Sequence, residues 1–373
     1  MLGASMSAEP DLELPLLDID VAAEKNIGGR TYDEDAILVR SDLRLFAVAD
    51  GAGGENGGNL ASSIAVAAIA RHFEATKEAM KTSPVFDPLG LPVAARRLSQ
   101  AIARANKDVL EIARSSDKYR GMGTTLVAIT PLPEHGVVHL AHVGDSRCYR
   151  MRAGRLEQLT QDHTLANDVL ELRPDLSDEE SARLPRNVIT RAIGMTQNVR
   201  VSVRTLDLAP GDRFVLSSDG LTDALGDDEI AEILATTPSV REHVRALIQK
   251  ALDNGADDNL SALVLRVDAG PGVVAVPKRH ATRPPPSLRR SSQPAPPSLD
   301  DEAPEIILVD DDDPEIHVVP NAPMAPSMRD ALSEWRAVTS KRFPKPPIPL
   351  SDLALGPLPL GGVPSRRPPG DDD

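Results

Sequence analysis

Four apolar runs in this chain each bring a carboxylate to one end. LRLFAVAD stops on Asp50, VVHLAHVGD on Asp145 and DRFVLSSD on Asp219, while Asp258 stands immediately before NLSALVLRV. Three of the four adjoin a glycine, as Asp50-Gly51, Gly144-Asp145 and Asp219-Gly220. A residue without a Cβ leaves room for a ligand or a backbone carbonyl to come close. Singly, an aspartate after a strand is ordinarily a turn or cap residue. Carboxylates that converge, however, repel one another unless cations lie between them, and an all-oxygen donor set suits hard divalent ions, magnesium or manganese. The eight histidines offer no competing site. None is paired at a ligand spacing such as HxxxH, and His139 and His142 project from opposite faces of one strand.

The glycines of FAVADGAGGENGGN, residues 46–59, also resemble a phosphate cradle. A G-x-G-x-x-G fingerprint starting at Gly51 requires glycine at position 56, where Asn56 stands. No P-loop lysine follows, and the acidic residue directly precedes the glycines instead of lying about 20 residues further on. Asp50 is therefore the chemical group of this stretch, and the glycines are expected to clear space around it.

Such carboxylates need rigid strands behind them. Buried strands are predicted at 45–49, 125–129, 137–143, 214–217 and 260–267, where apolar runs of strand length are bounded by turn residues. Helices are predicted at 60–77, 93–114 and 240–252, the last stopped by Asn254-Gly255. Ser177 and Glu180 have capping-box spacing at the head of a short helix, SDEESARL, inside a polar insertion spanning 161–190. CYRMRAGRLEQLT turns at Ala153-Gly154 and so pairs with itself antiparallel. Long helices are few and grouped, which favours an α+β layered sandwich over a doubly wound sheet.

Composition bounds the rest. Hydrophobic residues make up 41% of the 373 but aromatics only 2%, so the core must be aliphatic. A formal charge of -15 argues against a nucleic-acid binder, which needs a basic face. The single cysteine, Cys148, excludes an intramolecular disulfide and a cysteine-built zinc site. No stretch approaches the roughly 20 apolar residues of a membrane span, and the N-terminus lacks a charged-then-apolar signal pattern. A cytoplasmic protein is expected. Past Asp268 proline and acidic runs replace apolar periodicity, so residues 1–18 are predicted as a flexible extension, 19–268 as the folded domain and 269–373 as a disordered tail. Within the tail, 305–309 and 328–338 have the pattern of short segments that order on a partner.

Eight segments, in chain order over 19–268, resemble the motifs of the metal-dependent protein phosphatases, the type 2C serine/threonine class, in its compact bacterial form. GGRTYDEDAILV is similar to the opening R-x-x-N-E-D segment, ADGAGGENGG to the D-G-x-G-G metal loop and GMGTTLVAI to the G-x-G-[ST]-T strand. HVGDSRCYR matches G-D-S-R, TQDHT the start of a mobile flap and NVITRAIG the segment after it. SSDGLTDAL and DDNLSALVL match the last two metal motifs.

This resemblance implies a four-layer α-β-β-α sandwich of two antiparallel β-sheets flanked by helices, with a binuclear Mn2+ or Mg2+ centre in a cleft at one end. It implies that Asp50 bridges two ions with the Gly51 carbonyl on one, and that Asp219 and Asp258 complete the other. Glu34 and Asp35 would act mainly through metal-bound waters, and Asp145 with Asp219 would form a weaker third site. Arg30 would grip phosphate oxygens with its planar fork. The implied reaction is hydrolysis of phosphoserine and phosphothreonine in proteins by a metal-activated bridging hydroxide attacking in line. The implied partners are bacterial serine/threonine kinases and their substrates. Two positions depart from the pattern. Asp33 replaces the usual asparagine, putting a third negative charge beside Glu34 and Asp35, where it would tighten or distort the metal site. Ala52 stands where animal members carry a histidine proposed to protonate the leaving group.

Other readings of the same residues stay open at this level. A pseudophosphatase would keep the fold and use the flap and tail as a binding module, but its mark is ligand loss, and Asp50, Asp219 and Asp258 are all present. Arg30 is also compatible with an ordinary surface cation, His163 with packing of the flap, and Cys148 with a small core residue. Arg289-Arg290-Ser291-Ser292 has the pattern of a kinase site and equally of a basic tail run.

Overall fold

A computed structural model of the protein describes residues 12–276, apart from 54–56, 89 and 238. The expectations for 305–309, 328–338 and the arginine-serine run at 289–292 lie outside these. In chain order the elements begin β1 (Leu12–Asn26), β2 (Asp35–Arg40), β3 (Leu45–Ala52), α1 (Gly57–Ala75), α2 (Lys77–Thr82) and α3 (Val93–Ser115). They continue with β4 (Gly123–Thr124), β5 (Leu126–Leu132), β6 (Val137–Val143), β7 (Arg147–Arg152), β8 (Arg155–Gln158), α4 (Leu165–Leu172) and α5 (Asp178–Ala182). The last are β9 (Ser202–Asp207), β10 (Arg213–Ser217), α6 (Asp219–Ala224), α7 (Asp227–Thr236), α8 (Val240–Asp253) and β11 (Leu260–Val276).

The strands form two antiparallel sheets, ordered β1-β11-β10-β7-β8 and β2-β3-β5-β6-β9, with β4 added to β3. Alternation along β3 shows how the layers stack, because successive side chains point to opposite faces. Leu45, Ala47 and Ala49 pack with Ala61, Ala65, Leu98 and Ala105 of α1 and α3. Phe46 and Val48 instead meet Leu216, Leu263 and Leu265 of the other sheet. On that sheet's far face Val215 and Val264 pack with Leu247 and Ile248 of α8. The result is helix, sheet, sheet, helix. Strands covered on both faces read as unbroken apolar runs, and small alanines let α1 and α3 approach closely, which is how so few aromatics suffice.

Two boundaries differ from the sequence expectation. The strand β1 begins at Leu12, not near 19, and pairs from there with Val276, so β11 also runs past 268. Residues 12–18 and 269–276 are poor in strand signals of their own and are ordered by each other. Helix α1 begins at Gly57, three residues before the predicted start. Glycine is a weak helix former, but here close packing of the first turn, described below, overrides propensity.

The β7–β8 hairpin turns at Ala153 and Gly154 with φ of 49° and 80°, the left-handed pair that a two-residue type I′ turn requires. An alanine in that region is strained by about 1–2 kcal/mol, partly offset by its lower unfolded-state entropy. Ala153→Gly is therefore expected to raise stability by about 0.5–1 kcal/mol, measured by urea unfolding.

Candidate metal centre

Asp35 and Asp50 face each other across the β2–β3 ladder, each being the other's registered partner. Paired residues of an antiparallel ladder project to the same face, and both are buried, at 1% and 4% exposure. The Asp50 backbone is locked by β5 and the turn before it. Its N–H donates to Thr125 Oγ1 at 3.1 Å, and its carbonyl accepts from Thr125 N at 2.8 Å and Thr124 Oγ1 at 2.8 Å. Thr125 Oγ1 lies 2.6 Å from Ser146 Oγ, so the residue after Asp145 is tied to the residue that holds Asp50. Gly144, at φ +101°, makes this contact feasible, because a Cβ there would lie 2.7 Å from the Thr125 side chain.

Asp219 joins the same end through its neighbours. Ser218 Oγ donates to Asp35 Oδ2 at 2.7 Å and accepts from Ser261 N at 3.0 Å. A Cβ on Gly220 would lie 3.1 Å from Asp258 Cβ and 2.3 Å from the Asn259 carbonyl oxygen, so the turn carrying Asp219 rests directly on the turn carrying Asp258. Asp258 in turn accepts from Arg30 Nη2 at 2.7 Å on Oδ2 and from Asn259 N at 2.8 Å on Oδ1. Glu34 enters through its backbone. Its carbonyl accepts from Gly51 N at 3.1 Å and Ser62 Oγ at 2.6 Å.

The segments carrying Asp35, Asp50, Asp145, Asp219 and Asp258 are thus tied to one another, largely through the residues beside them, around one end of the two sheets. Among the described residues, no group of three or more His, Cys, Asp or Glu side chains closes on a single point. The Arg30 guanidinium instead supplies the positive charge at Asp258. These side chains offer carboxylate oxygens, the donor chemistry that suits a hard divalent ion.

Asp223 extends the acidic cluster and was not singled out in the sequence. It follows Asp219 by one helical turn in α6, the i,i+4 spacing that was its only visible signal. Surrounding protein strips water from its carboxyl although the side chain keeps an exposed face, and Asp219, Asp258 and Asp162 add negative charge. Against the opposing pull of Arg147, these effects push it up to about 6. Because its folded value lies above the unfolded one, the folded state holds the proton longer and stability falls as pH rises from about 4 towards 6. With chelator present, Asp223→Asn is expected to melt above wild type at pH 7.5, with the gap closing near pH 4. Equal melting at both pH values would contradict this.

A family profile described as protein phosphatase 2C matches residues 25–264, well over half of the chain. The chain belongs to that family. It is similar to a putative protein phosphatase 2C-type of Streptococcus pyogenes, 33% identical over 246 residues, which cover 65% of this chain and 94% of the relative. It is also 33% identical over 225 residues to the serine/threonine phosphatase stp of Listeria monocytogenes, covering 60% and 84%. Among solved structures, the Mycobacterium tuberculosis serine/threonine phosphatase PstP/Ppp superposes with a TM-score of 0.57 at 30% identity, over 67% of this chain and 99% of that one. The PstP catalytic domain in complex with two manganese ions gives 0.57 at 32% identity, over 68% and 99%. The α+β sandwich inferred from the few, grouped helices is thus the fold of this type 2C phosphatase.

Several expectations about individual residues change with the structure. The glycines after Asp50 are needed for packing within the protein: a Cβ on Gly51 would lie 2.0 Å from the Gly58 carbonyl oxygen, and one on Gly58 would lie 2.2 Å from Glu34 Oε1. They let β3, the start of α1 and the Glu34 segment touch. Asp33 is turned to Lys25, whose Nζ sits 2.8 Å from its Oδ2 and 2.9 Å from the Asp35 carbonyl. Its charge is met by a cation, and its Oδ1 accepts the Asp35 N–H at 3.2 Å.

Ala52 packs with Ile189 and Ala192 of the segment after the flap, an apolar seat where animal members carry their histidine. His163 stacks on His142 at 4.5 Å and receives the Gly144 N–H on Nδ1 at 3.0 Å. Burial, together with His142, Arg191 and Arg200, holds it well below the usual imidazole range. It is a neutral packing group at the base of the flap. Cys148 is fully buried, and burial raises its thiol far above the ordinary range, leaving it inert. Among the described residues no helix is long and apolar enough to cross a membrane.

Proposed function

We propose that this cleft hydrolyses phosphoserine and phosphothreonine in proteins with two divalent cations, Mn2+ or Mg2+. Asp50, with the Gly51 carbonyl on one ion, and Asp219 and Asp258 would hold them. Asp145 together with Asp219 would hold a weaker third ion, while Glu34 and Asp35 act at one remove. The observation that carries this is the convergence of two acidic pairs of positions: buried Asp35 and Asp50 are registered partners across the β2–β3 ladder, and the turn carrying Asp219 rests through Gly220 on the turn carrying Asp258. The manganese pair in the PstP catalytic domain supports it. When bound, the ions neutralise the clustered charge and make water nucleophilic near neutral pH.

The protein's own groups do the rest. Arg30, 40% exposed and already against Asp258, can turn its remaining N–H groups to phosphate oxygens without leaving the cleft edge. No side chain stands at Ala52 to protonate the leaving group, and the Nδ1 lone pair of His163 is taken by Gly144. Neither position therefore offers the leaving oxygen a proton, which would come from water held at the site. Retention of Asp50, Asp219 and Asp258 argues against a binding-only pseudophosphatase. Serine/threonine kinases and their substrates are the proposed counterparts, through the flap and the chain beyond 276. The lone buried cysteine suits a cytoplasmic setting. Purified protein with manganese should release phosphate from a phosphothreonine peptide, and chelator should stop it. Absence of metal-dependent release overturns the proposal.

A further inference from the structure

Between β1 and β2 the chain leaves one sheet at Asn26, carries Arg30 to Asp258 and enters the other sheet at Asp35. Both ends of this excursion are held by one buried side chain, Asn259, which is 2% exposed. Its Nδ2 donates to the Ile27 carbonyl at 2.9 Å, where the segment departs, and to the Tyr32 carbonyl at 3.0 Å, where it returns. Its Oδ1 accepts the Glu34 N–H at 2.8 Å. Both N–H donors and one of the two acceptor positions of the amide are used. The Ile27 carbonyl that Asn259 holds also accepts from Arg30 N at 3.3 Å. Asn259 N itself donates to Asp258 Oδ1, while Arg30 Nη2 donates to Oδ2 of the same carboxylate.

Gly28 and Gly29 let the segment lie against the 257–258 backbone: a Cβ on Gly28, at φ +59°, would lie 1.9 Å from the Asp258 carbonyl oxygen. Contact alone does not set the height of the arch, because glycines are permissive. The amide of Asn259 does, by spanning it.

We infer that Asn259 is a positioning residue for phosphate binding: it closes the 27–34 arch so that the Arg30 guanidinium stands over Asp258. This rests on the phosphatase reading above, and it assigns to Asn259 an action through Arg30 and not through metal affinity. An aspartate or alanine at 259 would leave the Ile27 and Tyr32 carbonyls without their shared donor, and the arch would spread.

The test is a double-mutant cycle on the full chain with manganese and a phosphothreonine peptide, reading kcat and KM for wild type, Arg30→Ala, Asn259→Ala and the pair. Each single change is expected to raise KM about tenfold, with a smaller effect on kcat. The pair should raise it no more than the worse single change, because both remove the same grip. A roughly hundredfold rise in the pair, the product of independent effects, overturns the inference. So does a loss of manganese affinity in Asn259→Ala by calorimetry with KM unchanged. Should the alanine variant fail to fold, Asn259→Ser carries the same cycle. Wild type lacking metal-dependent release would instead defeat the phosphatase proposal, and that outcome is read before any variant is made.

Discussion

Asp219→Asn is expected to lower kcat on a phosphothreonine peptide by on the order of a thousandfold while leaving the protein folded. The substitution keeps the shape of the side chain and removes one negative charge. That charge matters because of where the turn sits. Ser218 ties it to Asp35, Gly220 rests it on Asp258, and both the second ion and the weaker third one are proposed to use Asp219. Loss of one fixed charge aimed at a reacting centre in a water-poor site costs far more than loss of a surface contact. The scaffold should be nearly unaffected, because the links through Ser218 and Gly220 do not involve the Asp219 carboxylate. Steady-state kinetics, manganese calorimetry and a thermal melt separate these effects. Near-normal turnover would show that Asp219 is not a metal ligand. A side effect gives an internal check: Asp219 is one of the charges that raise Asp223, so the Asp223 carboxyl should titrate lower in the variant.

Gly51→Ala should be as damaging by a different route. The new Cβ would meet the Gly58 oxygen at 2.0 Å, the Gly58 carbon at 2.4 Å and the Glu34 oxygen at 2.7 Å. All three are backbone atoms of packed elements, so no side chain can rotate away. Either α1 or the Glu34 segment must retreat by about an ångström, in an interior as dense as an organic crystal. Overpacking commonly costs about 1–3 kcal/mol and more where backbone must move. A loss of about 3 kcal/mol or more in urea unfolding is expected, together with loss of metal-dependent turnover, since Asp50 is the adjoining residue. Gly226→Ala is the control. Its added Cβ has nothing closer than a Glu229 carboxylate oxygen at 4.0 Å, so it should cost no more than about 1 kcal/mol, the ordinary loss on replacing a glycine N-cap of α7. Equal tolerance of the two alanines would mean that the Gly51–Gly58 approach is not needed.

Local features of this fold were legible because their causes are local. The β6 strand occupies 137–143 as its apolar run predicts, the Ser177–Glu180 capping box forms, and the β7–β8 turn falls on Ala153-Gly154. Each depends on residues within a few positions, where propensity and hydrogen-bonding reach are already set. The ends of β1 and β11 were not legible, since Leu12 and Val276 become strand only by pairing with each other. The start of α1 was hidden likewise, its glycines serving a contact with residues far away in the chain.

The same division runs through the cleft. By itself the sequence determined which oxygen donors exist, that each stands at the end of an apolar strand, and that no histidine or cysteine competes with them. That much is residue type and spacing. Only the tertiary structure decided which donors meet, that Lys25 answers the extra charge of Asp33, that Ala52 seats the segment after the flap, and that Gly51 makes room for Gly58. It also decided that Asn259 grips a segment more than two hundred residues earlier, bonding Glu34 and Ile27 across separations of 225 and 232 positions. Hydrogen bonds reach about 3 Å, so a pattern along the chain carries no record of them until the two sheets pack and bring those positions together.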